Sequence, residues 1–221
     1  MRTLLTVAIC LLILCSARLS PAQQAQPSAE ALRFAEQHWG VADDKNWTGV
    51  EPGSIRPLIS PRVRAVFRDA EVLRAVVRNP RSRIAGRPTY DHCLVLRKGK
   101  EPLFIEDDAA AAAAISAEAL PVTDAAEALG RVLCFAELRG LVLQMAVPGG
   151  ADLDRQPLRY KIGQENWAIV MEPAEAGWAV SCTFLADPNI VLCLRYELGV
   201  SPQGSLAVRQ TDQVFCAGAY E

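Results

Sequence analysis

The chain has 221 residues, a formal net charge of −2 and 51% hydrophobic residues. The near balance of charge excludes general affinity for nucleic acids, which requires a strongly basic surface. A chain of this length and composition can build a hydrophobic core without the support of a structural metal or a disulfide framework.

A largely apolar run at residues 4–15 follows the basic start of the chain and precedes several small residues. This pattern is typical of a secretory signal peptide, and the run is shorter than the roughly 20 apolar residues that span a bilayer. We expect cleavage after Ala22, with Ala17 as the alternative position. The mature protein is therefore predicted to be secreted or periplasmic, soluble and without a membrane span.

Two helices are predicted in the first third of the mature chain. Apolar spacing predicts the first helix over residues 28–39, with Ser28 as its N-cap. The glycines and prolines of residues 40–60 predict a long loop. Pro61 is then expected to open the second helix, whose apolar positions continue at helical spacing to Val77.

A hairpin and two further helices are predicted in the middle of the chain. The strands of the hairpin are expected at residues 92–97 and 102–106. Asp107 and Asp108 precede six alanines, and acidic residues before such a run favour a helix start through capping and the helix dipole. Thr123 is expected to cap the next helix.

The last third of the chain alternates apolar and other residues at period two in four short runs. This pattern predicts a four-stranded antiparallel meander. The expected register places Val180 opposite Tyr196 and Phe184 opposite Leu192, which buries one apolar face. The predicted fold class is α+β, with a helical N-terminal half packed on the C-terminal meander. The predicted organisation is a signal peptide at 1–22, a flexible arm at 23–27 and a single domain at 28–221.

Five cysteines remain after removal of the signal peptide, and this odd number leaves at least one thiol without an intramolecular partner. Cys134 and Cys182 fall on apolar faces, which favours buried small hydrophobic side chains. Cys193 is expected to point to the opposite side of its sheet from Cys182, so no bond between these two is predicted. The predicted disulfide is Cys193–Cys216, with Cys93 as the alternative partner of Cys216.

The distribution of charge is the strongest local anomaly. Nine arginines and two acids occur in residues 56–87, whereas residues 101–130 contain seven acids and no basic residue. Two solvated faces of opposite charge explain this pattern without a ligand. The alternative is an anion-binding site in the arginine-rich region 62–87, because arginine forks suit carboxylates and phosphates. Its candidate residues are Arg64, Arg68, Arg74, Arg78, Arg81 and Arg83.

No catalytic pattern is recognisable in the sequence. It contains no GxSxG, P-loop or GxGxxG motif, and its two histidines lack the spacing of a zinc site. We therefore predict no cofactor and no metal, and assign no catalytic residue. The expected function is a non-enzymatic binding or interaction domain whose partner is a protein or an anionic ligand. The alternatives are a thiol-dependent enzyme or redox protein, and an anion- or polysaccharide-binding module in the arginine-rich region.

Overall fold

The computed structural model describes residues 26–43, 48–78, 89–143, 169–187 and 192–215. The predicted signal peptide and its cleavage sites lie outside these stretches, as do Arg81, Arg83 and Cys216. Cys193 lies on a described strand, but its side chain is outside the description, so the predicted disulfide stays a prediction.

Four helices and ten strands are present in the described residues. The helices are α1 (Ala29–Trp39), α2 (Pro61–Val66), α3 (Asp108–Ser116) and α4 (Ala125–Leu138). Sheet A consists of β1 (Gly49–Val50), β2 (Arg56–Pro57), β3 (Ala70–Arg78), β4 (Thr89–Arg97) and β5 (Leu103–Ile105). Sheet B consists of β6 (Val142–Leu143), β7 (Val170–Ala174), β8 (Gly177–Asp187), β9 (Leu192–Val200) and β10 (Leu206–Phe215). These strands pair in antiparallel fashion in both sheets.

Helices α3 and α4 form a layer between the two sheets. The main hydrophobic core surrounds α4 and combines Cys93 and Val95 of sheet A with Phe184 and Tyr196 of sheet B. The ring of Tyr196 meets that of Phe135 in α4 edge to face, with 5.4 Å between the ring centroids. Helix α1 covers the other face of sheet A and forms a smaller second core with it.

The predicted fold class is wrong in its N-terminal half, where the five-stranded sheet A accompanies the short helices. The error lies in the segment after Pro61, because helix α2 ends at Val66 and strand β3 begins at Ala70. Both faces of β3 are covered, since Leu73 packs in the core beside α1 and Val72 packs in the main core. Apolar residues therefore occupy both alternating positions, and the resulting run also matches helical spacing.

The four strands of the predicted meander are present as β7 to β10, but they belong to a five-stranded sheet that also includes β6. The register differs from the predicted one by two residues: Val180 lies opposite Leu198, and Phe184 lies opposite Leu194. Because side chains alternate with a period of two, a slip of two residues keeps the same face buried. The predicted inner face is thus correct although the individual pairs are wrong.

The predicted starts of α1 and α3 are confirmed. Ser28 Oγ accepts a hydrogen bond from the Ala31 N–H at 3.2 Å, and Asp107 caps α3 in the same way. Helix α4 begins one residue later than predicted, because its N-cap is Asp124 rather than Thr123. The predicted hairpin is confirmed as β4 and β5. Among the helices described, none is both long enough and apolar enough to cross a membrane.

Candidate anion-binding cleft between two helices

The structure separates the predicted anion-binding arginines into two groups. Arg74 and Arg78 lie on β3 and have partners within the protein: Arg78 pairs with a neighbouring glutamate, and Arg74 donates to a backbone carbonyl of α4, although its Nε is buried without a described acceptor. Arg64 of α2 and Arg68 in the turn after it are exposed. The predicted residues that the structure describes therefore do not share one surface.

A cleft of about 410 Å³ lies between α2, the middle of α4 and the segment that connects α3 to α4. Three arginines line it: Arg62 and Arg68 on the α2 side, and Arg131 on α4. Its apolar surface includes Ala65 of α2 and Leu120 of the connecting segment. Basic and apolar groups thus meet in a single cleft, to which Arg68 of the predicted set contributes.

Arg131 is charged and yet only 7% exposed. Its Nη2 donates a hydrogen bond to the carbonyl oxygen of Leu120 at 3.1 Å. Its Nη1 is buried, and no described residue accepts a hydrogen bond from it. Burial lowers the pKa of Arg131, and the positive charge of Arg68 acts in the same direction. Arg131 therefore has unused hydrogen-bonding capacity beside the cleft, at a cost of roughly 1–3 kcal/mol for a buried donor without an acceptor.

The acidic residue that lines the cleft is committed to the start of α4. Glu127 Oε2 accepts hydrogen bonds from the backbone N–H of Thr123 at 2.7 Å and from its hydroxyl at 3.0 Å. In return, the Asp124 carboxylate accepts a hydrogen bond from the N–H of Glu127 at 2.9 Å. These reciprocal hydrogen bonds at the start of α4 are similar to a capping box. Glu127 attracts Arg131 through space, but its hydrogen bonds go to the helix start.

The connection between α3 and α4 is held by the turn between β9 and β10. The N–H of Val122 donates to the carbonyl oxygen of Pro202 at 2.8 Å. Gly204 has a φ of 83°, and a Cβ atom at this position would overlap the carbonyl oxygen of Leu120. Sheet B therefore fixes the position of the carbonyl to which Arg131 donates.

Arg62 connects the two helices at the rim of the cleft. Its Nη1 lies 2.8 Å from Oε1 of Glu137 in α4, and its side chain is 53% exposed. Ion pairs with this exposure contribute little to stability, because water and salt screen them. Arg62 is therefore exposed enough to meet a ligand at the rim, whereas Glu137, whose side chain is 23% exposed, loses its cation if Arg62 leaves it.

A second polar cluster lies at the C-terminal end of α4, and its groups bind one another. Arg139 donates to the carboxylate of Asp108 at 2.8 Å and to the backbone carbonyl of Glu106 at 2.9 Å. The hydroxyl of Tyr196 donates to the same Asp108 carboxylate at 3.2 Å. This cluster joins α3, α4 and sheet B, and we assign it a structural role.

The acidic string from Glu106 to Asp108 does more than start a helix. Asp107 is the cap, as predicted, whereas Asp108 holds Arg139. Burial opposes ionisation of Glu106, but hydrogen bonds from Trp39 and His38 outweigh it and lower the pKa of this carboxyl. No group of three or more His, Cys, Asp or Glu side chains that could hold a metal ion occurs in the described residues.

The three thiols with described side chains are free and buried. Burial raises the pKa of Cys93 to about 11 and those of Cys134 and Cys182 to about 12. Cys93 donates to the carbonyl of Leu138 at 3.1 Å on one face of β4, whereas His92 stacks on a tryptophan of α1 on the other. The prediction of buried, hydrophobic thiols at Cys134 and Cys182 is confirmed, and none of the three resembles an activated nucleophile.

The sequence-based description of the site includes Arg68 but not Arg131. A signal was present, because Ala128, Arg131 and Phe135 recur at the spacing of one buried helix face. A charge in such an apolar stripe needs a partner when it is buried. Gly130, in the middle of the same helix, is a second irregularity of the pattern.

The comparisons with known proteins supply no relative for this chain. No family model matches it, and neither a curated protein nor a solved structure shows significant similarity. The functional interpretation therefore rests on the geometry of the cleft.

Proposed function

We propose that the protein is an exported, non-enzymatic binding domain that holds an anionic ligand in the cleft between α2 and α4. The single observation that carries the proposal is Arg131, a guanidinium that is 7% exposed and has an Nη1 group without a described acceptor. An anion that reached this group would supply the acceptor that it lacks and offset the cost of burying it. The signal-like pattern of residues 1–22 supports export.

The other two arginines of the cleft strengthen the attraction for an anion. Arg68 is exposed and close enough to Arg131 to depress its pKa. Arg62 reaches the same cleft from the first turn of α2. Guanidinium groups recognise carboxylate and phosphate oxygens through paired hydrogen bonds, so converging arginines suit such a ligand better than a neutral one.

The thiol-dependent alternative gains no support from Cys93, Cys134 or Cys182. Their pKa values are raised by burial, whereas a nucleophilic or redox-active thiol requires a lowered pKa and access to solvent. The arginine-based alternative from the sequence is retained in altered form, with its centre moved from the region 62–87 to a cleft shared with α4.

Binding of small anions to the mature chain tests the proposal. Inorganic phosphate and acetate are titrated at low ionic strength while the side-chain N–H signals of the arginines are followed by nuclear magnetic resonance. We expect saturable shifts of the Arg131 signals, and an affinity about tenfold lower in Arg131→Met, because a charge-assisted hydrogen bond contributes roughly 1.5–3 kcal/mol.

Arg64→Met is the matched control, because Arg64 is an exposed arginine of the same helix α2 that lies outside the cleft lining. This variant should bind both anions as the unmodified chain does. Equal weakening by Arg64→Met and Arg131→Met would show diffuse surface attraction instead of a site. Absence of saturable binding by either anion would refute the proposed function.

A further inference from the structure

The cleft has an apolar part beside its arginines. Ala65 lies on α2, Leu120 and Pro121 lie in the connecting segment, and Gly130 faces them from the middle of α4. An anion that consisted only of a charged group would leave this apolar surface in contact with water. The volume of about 410 Å³ falls within the roughly 300–1,000 Å³ that is usual for small-ligand sites.

Gly130 indicates that the apolar part of the cleft is kept open. Glycine destabilises the middle of a helix relative to alanine, so it needs a local reason. A Cβ atom at Gly130 would meet nothing within 4 Å, so the packing of the protein does not demand glycine there. Gly130 lines the cleft, and a Cβ atom at this position would meet open space.

The charges around the cleft match a ligand with one negative charge. Arg62, Arg68 and Arg131 supply three positive charges, while Glu127 in the lining and Glu137, the ion-pair partner of Arg62, supply two negative charges. One positive charge remains. Because Arg131 is 7% exposed, a small head group can reach it more readily than a chain of linked charges can.

We infer that the ligand is an amphipathic carboxylate, whose head group binds Arg131 and Arg68 and whose alkyl chain lies along Gly130, Ala65 and Leu120. This inference rests on the proposed function and adds the class of ligand. Guanidinium groups bind carboxylates through charge-assisted hydrogen bonds, and Nη1 of Arg131 has no described acceptor of its own. The apolar walls take up the alkyl chain because its removal from water is favourable.

Comparison of acetate with octanoate tests the inference. Both are titrated by calorimetry into the mature chain, below the micelle-forming concentration of octanoate, with inorganic phosphate as an anion that lacks an alkyl chain. Octanoate should bind at least about tenfold more tightly than acetate, because several of its methylene groups become buried. Octanol, which has the alkyl chain without the charge, should bind at least about tenfold more weakly than octanoate.

Two variants that fill the cleft locate the alkyl chain. Gly130→Leu and Ala65→Leu should each lower the affinity for octanoate about tenfold more than they lower the affinity for acetate, because they fill the apolar part of the cleft. Ala65 is exposed on α2, so its replacement keeps the test valid if Gly130→Leu fails to fold. Arg131→Met should weaken both carboxylates.

The outcomes separate the two proposals. If acetate and phosphate bind through Arg131 but octanoate binds no more tightly than acetate, the inference is wrong and the anion site stands. Octanoate binding that both leucine variants leave intact would also overturn the inference. If neither acetate nor phosphate binds saturably, the proposed function itself fails, whatever octanoate does.

Discussion

Arg131 and Arg139 belong to the same helix and have opposite surroundings. Arg139, at the end of α4, donates to Asp108 and to the carbonyl of Glu106. Arg131 lies inside α4, is more deeply buried, and satisfies one of its terminal nitrogens through Leu120. The difference separates an arginine whose donors hold the fold together from one that keeps a buried donor without a described acceptor. Arg74 also has a buried Nε without a described acceptor, so unused hydrogen-bonding capacity alone does not mark the candidate site; its combination with Arg62 and Arg68 in one cleft does.

The largest effect is expected when the contact between Gly204 and Leu120, the residue to which Arg131 donates, is disturbed. Gly204→Ala should lower the free energy of unfolding by about 3 kcal/mol, because the new Cβ overlaps the Leu120 carbonyl and φ is 83°. Gly53→Ala is the control, since Gly53 has a φ of 71° but open space around it, and its cost should be about 1 kcal/mol. Urea unfolding measures both, and equal losses would contradict a tight contact at Leu120.

Replacement of the two arginines by methionine tests the comparison directly. Arg139→Met should lower the free energy of unfolding by about 2 kcal/mol, because it leaves the partly buried Asp108 carboxylate without its cation. Arg131→Met should change it by less than about 1 kcal/mol, because loss of the bond to Leu120 is offset by removal of a buried donor that lacks an acceptor. Thermal unfolding of both variants measures these changes. Equal losses of stability would show that Arg131, like Arg139, has a structural role.

The ionisation of three buried thiols makes the stability of the protein depend on pH. Cys93, Cys134 and Cys182 have pKa values raised by burial to about 11, 12 and 12, above the ordinary value of 9.0. Their contribution to stability is therefore fully present below about pH 9 and is lost as the pH rises toward 11 and 12.

A thiol reagent at pH 8 should not label these three cysteines in the folded protein, and should label all of them after denaturation. The experiment uses a background in which Cys193 and Cys216 are replaced by serine, so that they do not contribute. Rapid labelling of the folded protein at any of the three positions would contradict the described burial and would revive the thiol-dependent alternative.

The smallest expected effect concerns Gly130, one residue before Arg131. Gly130→Ala should raise the free energy of unfolding by roughly 0.5–1 kcal/mol, since alanine favours the helix and its Cβ meets no neighbour. Gly140→Ala is a contrasting control, because a Cβ there would meet Asp91 at under 3 Å and should destabilise the protein. Chemical unfolding measures both, and no gain from Gly130→Ala would indicate a structural need for glycine.

Local signals predicted the helix starts and the burial of the last strands, whereas the fold and the site depend on distant contacts. Ser28 and Asp107 cap their helices through neighbouring backbone groups, so the sequence nearby is sufficient. The segment Ala70–Arg78 becomes a strand because α1 and α4 cover its two faces, and neither contact is visible in its own pattern. Arg131 meets Leu120 only once the connecting segment is held by sheet B.

The placement of α4 between two sheets has a consequence for the order of folding. Pairs such as β3–β4 and β8–β9 join strands close in the chain and can form early, since short loops close at low entropic cost. The contact between Val122 and Pro202 joins distant segments and has to wait for sheet B. In refolding kinetics, the cleft between α2 and α4 should therefore appear in the last phase, when the two sheets close over α4.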